Sequence, residues 1–230
     1  DSAPSIPPTV VGDIGGGAMF MALGLVSGIL RARETGEGQV IDGAITDGCA
    51  VMSMLVQGLR SQRLWVDRRQ SNALDGGAHW YDCYQCADGE WISVGALEPQ
   101  FYQLLLQKCG LTGQGFEQAQ FDFANWPALK EKFAAVFRQR TRAEWCELLE
   151  GTDVCFAPVL SFAEAQQHPQ NRARNAYVQV DGITQPAPAP RFSATPGEVR
   201  SPPVGIGADT TALLESVGYS ADEIAALSGA

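Results

Sequence analysis

A glycine-rich run directly before a long apolar stretch constrains the fold of this chain more than any other feature. The run is Val11-Gly12-Asp13-Ile14-Gly15-Gly16-Gly17, and the apolar segment after it extends from Ala18 to about Glu34. Glycine adopts the left-handed conformation at a helix end at little cost, so Gly36 is expected to end this segment. The pattern therefore predicts a glycine loop that opens a long helix.

This predicted loop carries one carboxylate, Asp13, for which the spacing allows two interpretations. The start of a helix offers free N–H groups and a partial positive charge, which can stabilise an oxyanion or hold a catalytic carboxylate. Glycines, which lack a side chain, would let a ligand approach the backbone closely. Asp is also a preferred capping residue, and on spacing alone capping is the favoured interpretation of Asp13.

The charge balance argues against some classes of partner. The chain has 230 residues, with 16 Lys and Arg against 26 Asp and Glu, so its formal net charge is -10. Such an acidic chain repels phosphate backbones, which argues against nucleic acid but still allows a small phosphorylated ligand. The most apolar stretch, from Ala18 to Leu30, is shorter than the roughly 18 residues of a membrane span and is predicted to be a buried helix. We expect no nucleic-acid partner and no membrane segment.

Six cysteines are scattered among apolar neighbours along the chain. This distribution is typical of reduced thiols and predicts a cytoplasmic protein. Cys83 and Cys86 form a C-x-x-C pair, but no second pair or histidine pair lies nearby to complete a zinc site. Alternation along a strand would also direct these two thiols to opposite faces. Because there is no redox motif either, we expect neither a metal nor a cofactor.

Shorter patterns predict the elements that follow the first helix. Gln39 to Ile41 is expected to form a short buried strand, and a second apolar helix should extend from about Ile45 to Leu59. Asp88-Gly89 lies between two aromatic-rich runs, Trp80 to Cys86 and Glu90 to Gly95, which is a hairpin pattern.

Three helices further along the chain carry a capping-box pattern, in which Ser or Thr starts the helix and a Glu three residues later reaches back. The pairs are Thr141 and Glu144, Ser161 and Glu164, and Ser220 and Glu223. A strand is predicted from Val154 to Leu160, and the Pro- and Gly-rich residues 181–207 are predicted to form a long surface crossing. The last helix is expected to pack through Ile224 and Leu227.

Glu98 is the second candidate carboxylate. It follows the second strand of the hairpin and begins a helix, in the sequence Leu97-Glu98-Pro99-Gln100. Such a junction often carries functional side chains, although the helix dipole alone also favours a Glu in the first turn. The two histidines, His79 and His168, have no nucleophile beside them in the sequence, and both are predicted to be structural.

Three long segments of the chain are similar to one known family. The first is GDIGGGAMFMALGLVSGILRARETGEGQVIDGAITDG, and the second is LDGGAHWYDCYQCADGEWISVGALEPQFY. The third is PPVGIGADTTALLESVGYSADEIAAL, near the end of the chain. Together they resemble the family III CoA-transferases, and the second segment resembles the α-methylacyl-CoA racemase branch in particular. The resemblance extends over nearly the whole chain.

The resemblance implies an α/β class, with a large α/β domain that is partial here and a small α+β domain. Residues 1–45 would be part of the large domain, and residues 46–77 would form a linker helix and loop. Residues 78–175 would be the small domain, and residues 176–230 would be the return linker and the C-terminal part of the large domain. Two chains are expected to interlock as a homodimer, with each active site between the large domain of one chain and the small domain of its partner.

The chemistry of the family is implied in the same way. A racemase of this kind removes the α-proton of a 2-methylacyl-CoA thioester, passes through an enolate and reprotonates the opposite face, which needs two acid/base groups. Asp13 matches the aspartate base of the family's GDxGGG motif, and Glu98 matches the catalytic glutamate of its GAxEPxF motif. The histidine base would precede Asp1, so the chain is expected to be a C-terminal fragment that is inactive alone. The expected substrate is an acyl-CoA, in which coenzyme A is part of the substrate and not a cofactor.

Two glycine-rich segments supply the candidate substrate-binding residues. These are Gly15, Gly16 and Gly17 in the first segment, and Asp75, Gly76 and Gly77 in the second. Two alternatives to a racemase stay open. A CoA-transferase of the same superfamily would use Asp13 as a nucleophile that forms acyl and CoA adducts, although Glu98-Pro99 favours the racemase. The other alternative is a catalytically inactive fragment.

Overall fold

The computed structural model describes residues 5–228 and mixes helices with strands, in agreement with the predicted α/β class. The chain forms two compact units, of which the first ends at Pro158 and the second begins at Val159. The predicted domain ranges, with boundaries after residues 45, 77 and 175, refer to the complete fold implied by the resemblance and stay a prediction.

The glycine-rich run lies within a helix, so the prediction that it forms a loop is wrong. Val10–Ala18 is a π-helix that continues directly into α1, Met19–Thr35. The Ile14 N–H donates to the Thr9 carbonyl oxygen over 3.0 Å, which is the spacing of a π-helix. The end of α1 follows the prediction, because Gly36 has φ = 76° and takes the left-handed position.

Close contact between two helices explains why this run contains glycine. Helix α2 comprises Ile45–Met52 and packs against the π-helix. A Cβ atom at Gly48 would lie 1.9 Å from the Gly16 carbonyl oxygen, and one at Gly16 would lie 2.7 Å from Sγ of Cys49. Neither position has room for a side chain, so the two helix backbones touch directly.

The segment between α1 and α2 forms no strand, so the prediction of a strand at Gln39 to Ile41 is wrong. Val40 is 96% exposed, where a buried residue was expected. Ile41 instead lies over α1, where Cβ atoms at Gly24 and Gly28 would approach its side chain to 2.9 and 2.6 Å. A strand is stable only with a neighbour that pairs with its backbone, and the described part of the chain provides none here.

A break at Ser53 divides the apolar helix that was predicted as a single element. Helix α2 ends at Met52, and α3 comprises Met54–Ser61. The Ser53 hydroxyl donates to the Ala50 carbonyl oxygen over 2.8 Å. Side-chain bonds of this kind compete with the helical backbone pattern, and this accounts for the interruption.

The apolar surface of α1 is exposed in the described chain, so the prediction of a buried helix is wrong there. None of the residues of α1 is buried. The continuous helix Val10–Thr35 spans 26 residues and is long and apolar enough to cross a membrane. Length and composition do not distinguish such a span from the core helix of a larger fold. The sequence argument against a membrane segment therefore fails for this helix, and the absence of a membrane partner stays a prediction.

A three-stranded antiparallel sheet organises the rest of the first unit. Strand β1, Tyr81–Gln85, pairs with β2, Trp91–Gly95, and β2 pairs with β3, Phe156–Pro158. The predicted hairpin between the first two strands is confirmed. Its turn is closed by the Cys86 N–H, which donates to the Glu90 carbonyl oxygen over 2.8 Å.

Strand β3 is shorter than the strand predicted from Val154 to Leu160. Cys155 has φ = 53°, which lies outside the extended region of the backbone. The Cys155 carbonyl oxygen still accepts a bond from the Gly95 N–H over 2.8 Å. The chain therefore lies beside β2 at this point without forming a strand.

Three helices enclose an aromatic core together with this sheet. They are α4, Pro99–Lys108, α5, Trp126–Phe137, and α6, Arg142–Leu149. The ring of Phe133 lies 5.1 Å from the ring of His79, measured between centroids. The Gln120 carbonyl oxygen accepts bonds from the indole N–H groups of Trp80 and Trp126, over 2.7 and 2.8 Å. The core thus buries large rings while satisfying the indole N–H groups of these two tryptophans.

The described residues of the second unit, 159–228, form four short helices and a two-stranded sheet. The helices are α7, Phe162–Gln167, α8, Pro169–Ala173, α9, Thr210–Ser216, and α10, Ala221–Ser228. Strands β4, Tyr177–Val180, and β5, Ile183–Pro186, form an antiparallel hairpin, so the predicted surface crossing at residues 181–207 is wrong at its start. Asp181 and Gly182 join the strands with φ angles of 51° and 79°, as a two-residue hairpin turn requires.

The three predicted capping boxes are confirmed. Thr141, Ser161 and Ser220 each accept a bond from the backbone N–H of the glutamate three residues later. The carboxylate of that glutamate accepts a bond from the backbone N–H of the capping residue. In α10, Ile224 is buried as predicted, whereas Leu227 is exposed.

We predict that Gly48→Ala destabilises the first unit. The new Cβ atom would overlap the Gly16 carbonyl group, and relief of such a clash typically costs roughly 1–3 kcal/mol of the free energy of unfolding. Gly58→Ala is the matched control, because a Cβ atom there meets nothing within 4 Å. That variant should gain about 0.5–1 kcal/mol from helix propensity. Urea unfolding of both variants checks this, and equal stability of the two would contradict it.

Candidate functional site

Asp13 lies in the first turn of the π-helix, where the partial positive charge of a helix start favours a carboxylate. Its side chain is exposed. Among residues 5–228, no hydrogen bond or ion pair involves its carboxylate, and Thr9 occupies the position that caps the helix. The capping interpretation of Asp13 is therefore wrong, and its carboxylate is available to a ligand.

Gly15, Gly16 and Gly17 lie between Asp13 and α1, and all three face atoms of α2. A Cβ atom at Gly15 would lie 3.1 Å from Cε of Met52, and one at Gly17 would lie 3.1 Å from Cγ1 of Ile45. Gly16 is buried. The contacts that the structure describes for these glycines are thus contacts between helices, and their role in substrate binding stays a prediction.

Glu98 occupies the position that caps α4, as the sequence predicts. Its carbonyl oxygen accepts the N–H groups of Phe101 and Tyr102, each over 3.0 Å. Its side chain is exposed and forms no capping bond. Burial raises the pKa of the Cys155 thiol, and the negative charges of Glu98 and Asp153 raise it further.

Asp75 organises a loop of residues 71–77, which we call the Asp75 loop. Its carboxylate accepts the backbone N–H of Asn72 over 2.8 Å and the N–H of Gly77 over 3.2 Å. The side-chain amide of Asn72, which is buried, donates to the same carboxylate over 2.7 Å. A Cβ atom at Gly77 would lie 2.6 Å from the backbone of Asn72, so this position requires glycine. Asp75 and Gly77 thus shape the loop, and their contact with substrate stays a prediction.

Lys130 of α5 connects the Asp75 loop to β1. Its ammonium group donates to the Gly76 carbonyl oxygen and lies 2.6 Å from a carboxylate oxygen of Asp82. The side chains of Lys130 and Asp82 are 23% and 18% exposed. Water screens such a half-buried pair less than it screens a pair on the open surface.

An open depression of about 550 Å³ lies on the sheet, and we call it the sheet depression. It is lined by Leu74 and Gly76 of the Asp75 loop, by Tyr81 and Cys83 of β1, and by Cys155. Gly95 also lines it, and this residue precedes the second candidate carboxylate, Glu98, by three positions in the chain.

His79 is fully buried, as expected of a structural residue. Its Nε2 atom lies 2.7 Å from the Tyr102 hydroxyl, which donates to the Phe116 carbonyl oxygen over 3.0 Å. Because the hydroxyl has a single proton, Nε2 is the donor in the first bond. Nδ1 then has no partner among the described residues. Burial lowers the pKa of His79 to about 4, so the ring is neutral at pH 7.

The thiols show no arrangement for metal binding. No group of three or more His, Cys, Asp or Glu side chains within residues 5–228 could hold a metal ion. All six cysteines are free; Cys83 is exposed and Cys86 is buried, so the two thiols diverge as predicted. Burial raises the pKa of Cys86 to about 11 and that of Cys109 to about 12. Partial loss of contact with water also raises the pKa values of Cys83 and Cys146, and the charge of Asp82 adds to the effect at Cys83. These thiols stay protonated near neutral pH.

Asp13 and Glu98 lie on different parts of the first unit. The π-helix that carries Asp13 packs on α1 and α2, whereas Glu98 lies directly before α4, three residues after the end of β2. Sequence reasoning found both carboxylates but missed Lys130, Asp82 and the thiol of Cys155. Their contacts join residues that are far apart in the chain, and no local pattern marks them.

The family model described as CoA-transferase family III matches residues 1–210 of the chain. The chain belongs to this family. The α-methylacyl-CoA racemase of Mus musculus is 41% identical over 226 residues, which are 96% of this chain and 58% of the relative. The α-methylacyl-CoA racemase of Homo sapiens is 39% identical over 224 residues, with the same shares of the two chains.

The fold of this family III CoA-transferase agrees with a solved relative. The crystal structure of a CAIB/BAIF family protein from Brucella suis matches with a TM-score of 0.72 at 19% identity, over 94% of this chain and 58% of that chain. At this identity the likeness concerns the fold alone. The chain spans about 58% of the length of the curated relatives, so the family fold is present in part.

We predict a pH dependence of stability that originates at His79. The pKa of this histidine is about 6.5 when unfolded and about 4 when folded, so between these values the unfolded chain binds a proton that the folded chain excludes. The free energy of unfolding should therefore fall by about 3 kcal/mol from this group alone as the pH drops from 6.5 to 4.

His79→Gln tests this prediction, because the amide nitrogen can replace Nε2 without titrating. Urea unfolding of both proteins at several pH values gives, for each, the slope of the free energy of unfolding against pH. The variant should show a flatter dependence across this window, whatever its stability at pH 7. Identical slopes would assign the acid sensitivity to other groups.

Proposed function

We propose that this family III CoA-transferase chain contributes to an enzyme that epimerises 2-methylacyl-CoA thioesters. The observation that carries the proposal is the 41% identity, over 96% of the chain, to a protein named α-methylacyl-CoA racemase. Because the chain spans 58% of that relative, the activity is proposed for a complete enzyme of the relative's length and not for the chain alone.

Asp13 is proposed to act as the base on one face of the α-carbon. Its carboxylate is exposed and has no partner within residues 5–228. The positive end of the helix dipole lies beside it and would stabilise the enolate oxygen that forms when the α-proton leaves. A second acid/base group must return a proton to the opposite face. His79 is unsuited to that task because it is fully buried and its Nε2 atom is bonded to Tyr102.

Glu98 is proposed to complete the active site of a partner chain in an interlocked homodimer. It is exposed, has no described partner, and lies on a different element from Asp13. A site assembled from two chains would bring the two carboxylates together without contact between them in one chain. The acyl-CoA would bring its own coenzyme A, so the proposal includes no further cofactor and no metal. A cytoplasmic location is part of the same proposal.

A CoA-transferase is the second candidate function, because the family model that matches the chain carries that description. In this reaction Asp13 would attack a thioester as a nucleophile and form a covalent adduct. An acceptor carboxylic acid would then take up the CoA. The two candidates therefore differ in what Asp13 does and in the need for a second acid.

We predict that the complete enzyme, incubated in D₂O with one epimer of a 2-methylacyl-CoA, incorporates deuterium at the α-carbon as the epimers interconvert. Loss of a positioned acid/base group typically costs about 10²–10⁴-fold in rate. Asp13→Asn should therefore nearly abolish exchange while thioester binding persists, and the 230-residue chain alone should be silent. Mass spectrometry of the thioester measures the exchange. A trapped Asp13 adduct, with turnover that requires an acceptor acid, would establish the transferase instead.

We also predict that inactive variants complement each other when they assemble together. Asp13→Asn and Glu98→Gln homodimers should each be inactive, because every site lacks one carboxylate. A heterodimer has one intact site if the site is shared between chains, so random mixing should restore about a quarter of wild-type activity. Coexpression followed by the same assay measures this recovery. Mixtures that stay as inactive as the separate variants would show that each chain builds its own site.

A further inference from the structure

The shape of the Asp75 loop is fixed by contacts within the loop and with the residues just before it. The side chain of Asn72 is at the centre of these contacts. Its amide nitrogen donates to the carbonyl oxygens of Val66 and Arg68, and its amide oxygen accepts the Val66 N–H over 2.8 Å. Asp75 then bonds Asn72 and Gly77 from the other side. These bonds hold the loop together internally.

Lys130 supplies a contact between the Asp75 loop and the sheet. Its ammonium group bonds the Gly76 carbonyl oxygen and, at 2.6 Å, the carboxylate of Asp82 on β1. Asp82 is also held in place, because its other oxygen accepts the Cys83 N–H over 2.9 Å. One cation therefore joins a loop carbonyl to a strand carboxylate, and both acceptors are partly shielded from water.

We propose that Lys130 is a positioning residue that holds the Asp75 loop at the sheet depression and thereby sets the space for the acyl group beside Glu98. The part of this proposal that concerns the acyl group rests on the proposed function. The sheet depression has a volume of about 550 Å³, which is within the range of small-molecule sites. Leu74 and Gly76 of the loop line it together with Gly95, which precedes Glu98 by three residues.

Loss of the ammonium group should release the loop as a unit. Without it the carboxylate of Asp82 has no described cation beside it, and the Gly76 carbonyl oxygen loses its described donor. A partly buried carboxylate without a partner attracts water, which would enter between the loop and β1. The bonds of Asn72 and Asp75 remain, so the loop should move without unfolding.

Hydrogen exchange of the chain itself tests the anchoring step. In Lys130→Met, amides of residues 71–78 should exchange about tenfold faster or more than in the wild type, while the β1–β2 hairpin exchanges at its original rate. Lys132→Met is the matched control on the same helix, because the Lys132 ammonium lies over the Phe116 ring and not at the loop. Lys130→Arg should restore slow exchange. Unchanged exchange in Lys130→Met, or equal acceleration in Lys132→Met, would overturn the proposal.

Kinetics of the complete enzyme test the positioning step. For a bulky 2-methylacyl-CoA, Lys130→Met should raise KM about fivefold or more with kcat within twofold of wild type, which indicates lost ground-state binding. Lys130→Arg should recover the wild-type KM. A fall in kcat at constant KM, or equal effects on short and bulky acyl groups, would overturn the proposal that Lys130 sets the space for the acyl group. If the wild type itself epimerises no thioester, the proposed function fails, and the exchange result still decides whether Lys130 anchors the loop.

Discussion

Direct backbone contact between Gly16 and Gly48 determines where the first helices of the chain can lie. A side chain at either position would force the π-helix and α2 apart. Asp13 lies three residues before Gly16, so its location follows from this contact. The glycine-rich run therefore contributes to the candidate site through helix packing. Contact between its backbone and a thioester would be a second, independent role. This distinction changes how a substitution in the run is interpreted, because a loss of activity there can originate in packing alone.

A set of buried bonds connects the start of the β1 segment with α4. Tyr84 donates to the His79 carbonyl oxygen over 2.6 Å, and the ring of His79 bonds the Tyr102 hydroxyl. His79 follows Asp75 by four residues, and Tyr102 follows Glu98 by four residues on the first turn of α4. The core network thus links the segment that follows the Asp75 loop with the helix that begins after Glu98. A neutral, buried histidine fits this task because it donates one bond without bringing a charge into the core.

The sequence predicts local features of this chain better than it predicts contacts between distant residues. The hairpin around Asp88-Gly89 and the capping boxes are local, and the structure has them. The strand at Gln39 to Ile41 was wrong because apolar composition does not reveal whether a pairing partner exists. Asp13 and Glu98 were identified because they belong to long family motifs, whereas their exposure follows from the three-dimensional fold. Lys130 has no signal in the sequence, since its partners Gly76 and Asp82 lie about fifty residues away.

The raised pKa values of the thiols lower their reactivity toward oxidants and alkylating compounds. Oxidants and alkylating compounds react with thiolates, and a protonated thiol is a weak nucleophile. At Cys155, which lines the sheet depression, the negative charge of Glu98 adds to the effect of burial. The charge of the carboxylate proposed for catalysis thus favours the protonated, less nucleophilic form of this thiol. Electrophiles that require a thiolate should therefore react slowly at Cys155 near neutral pH.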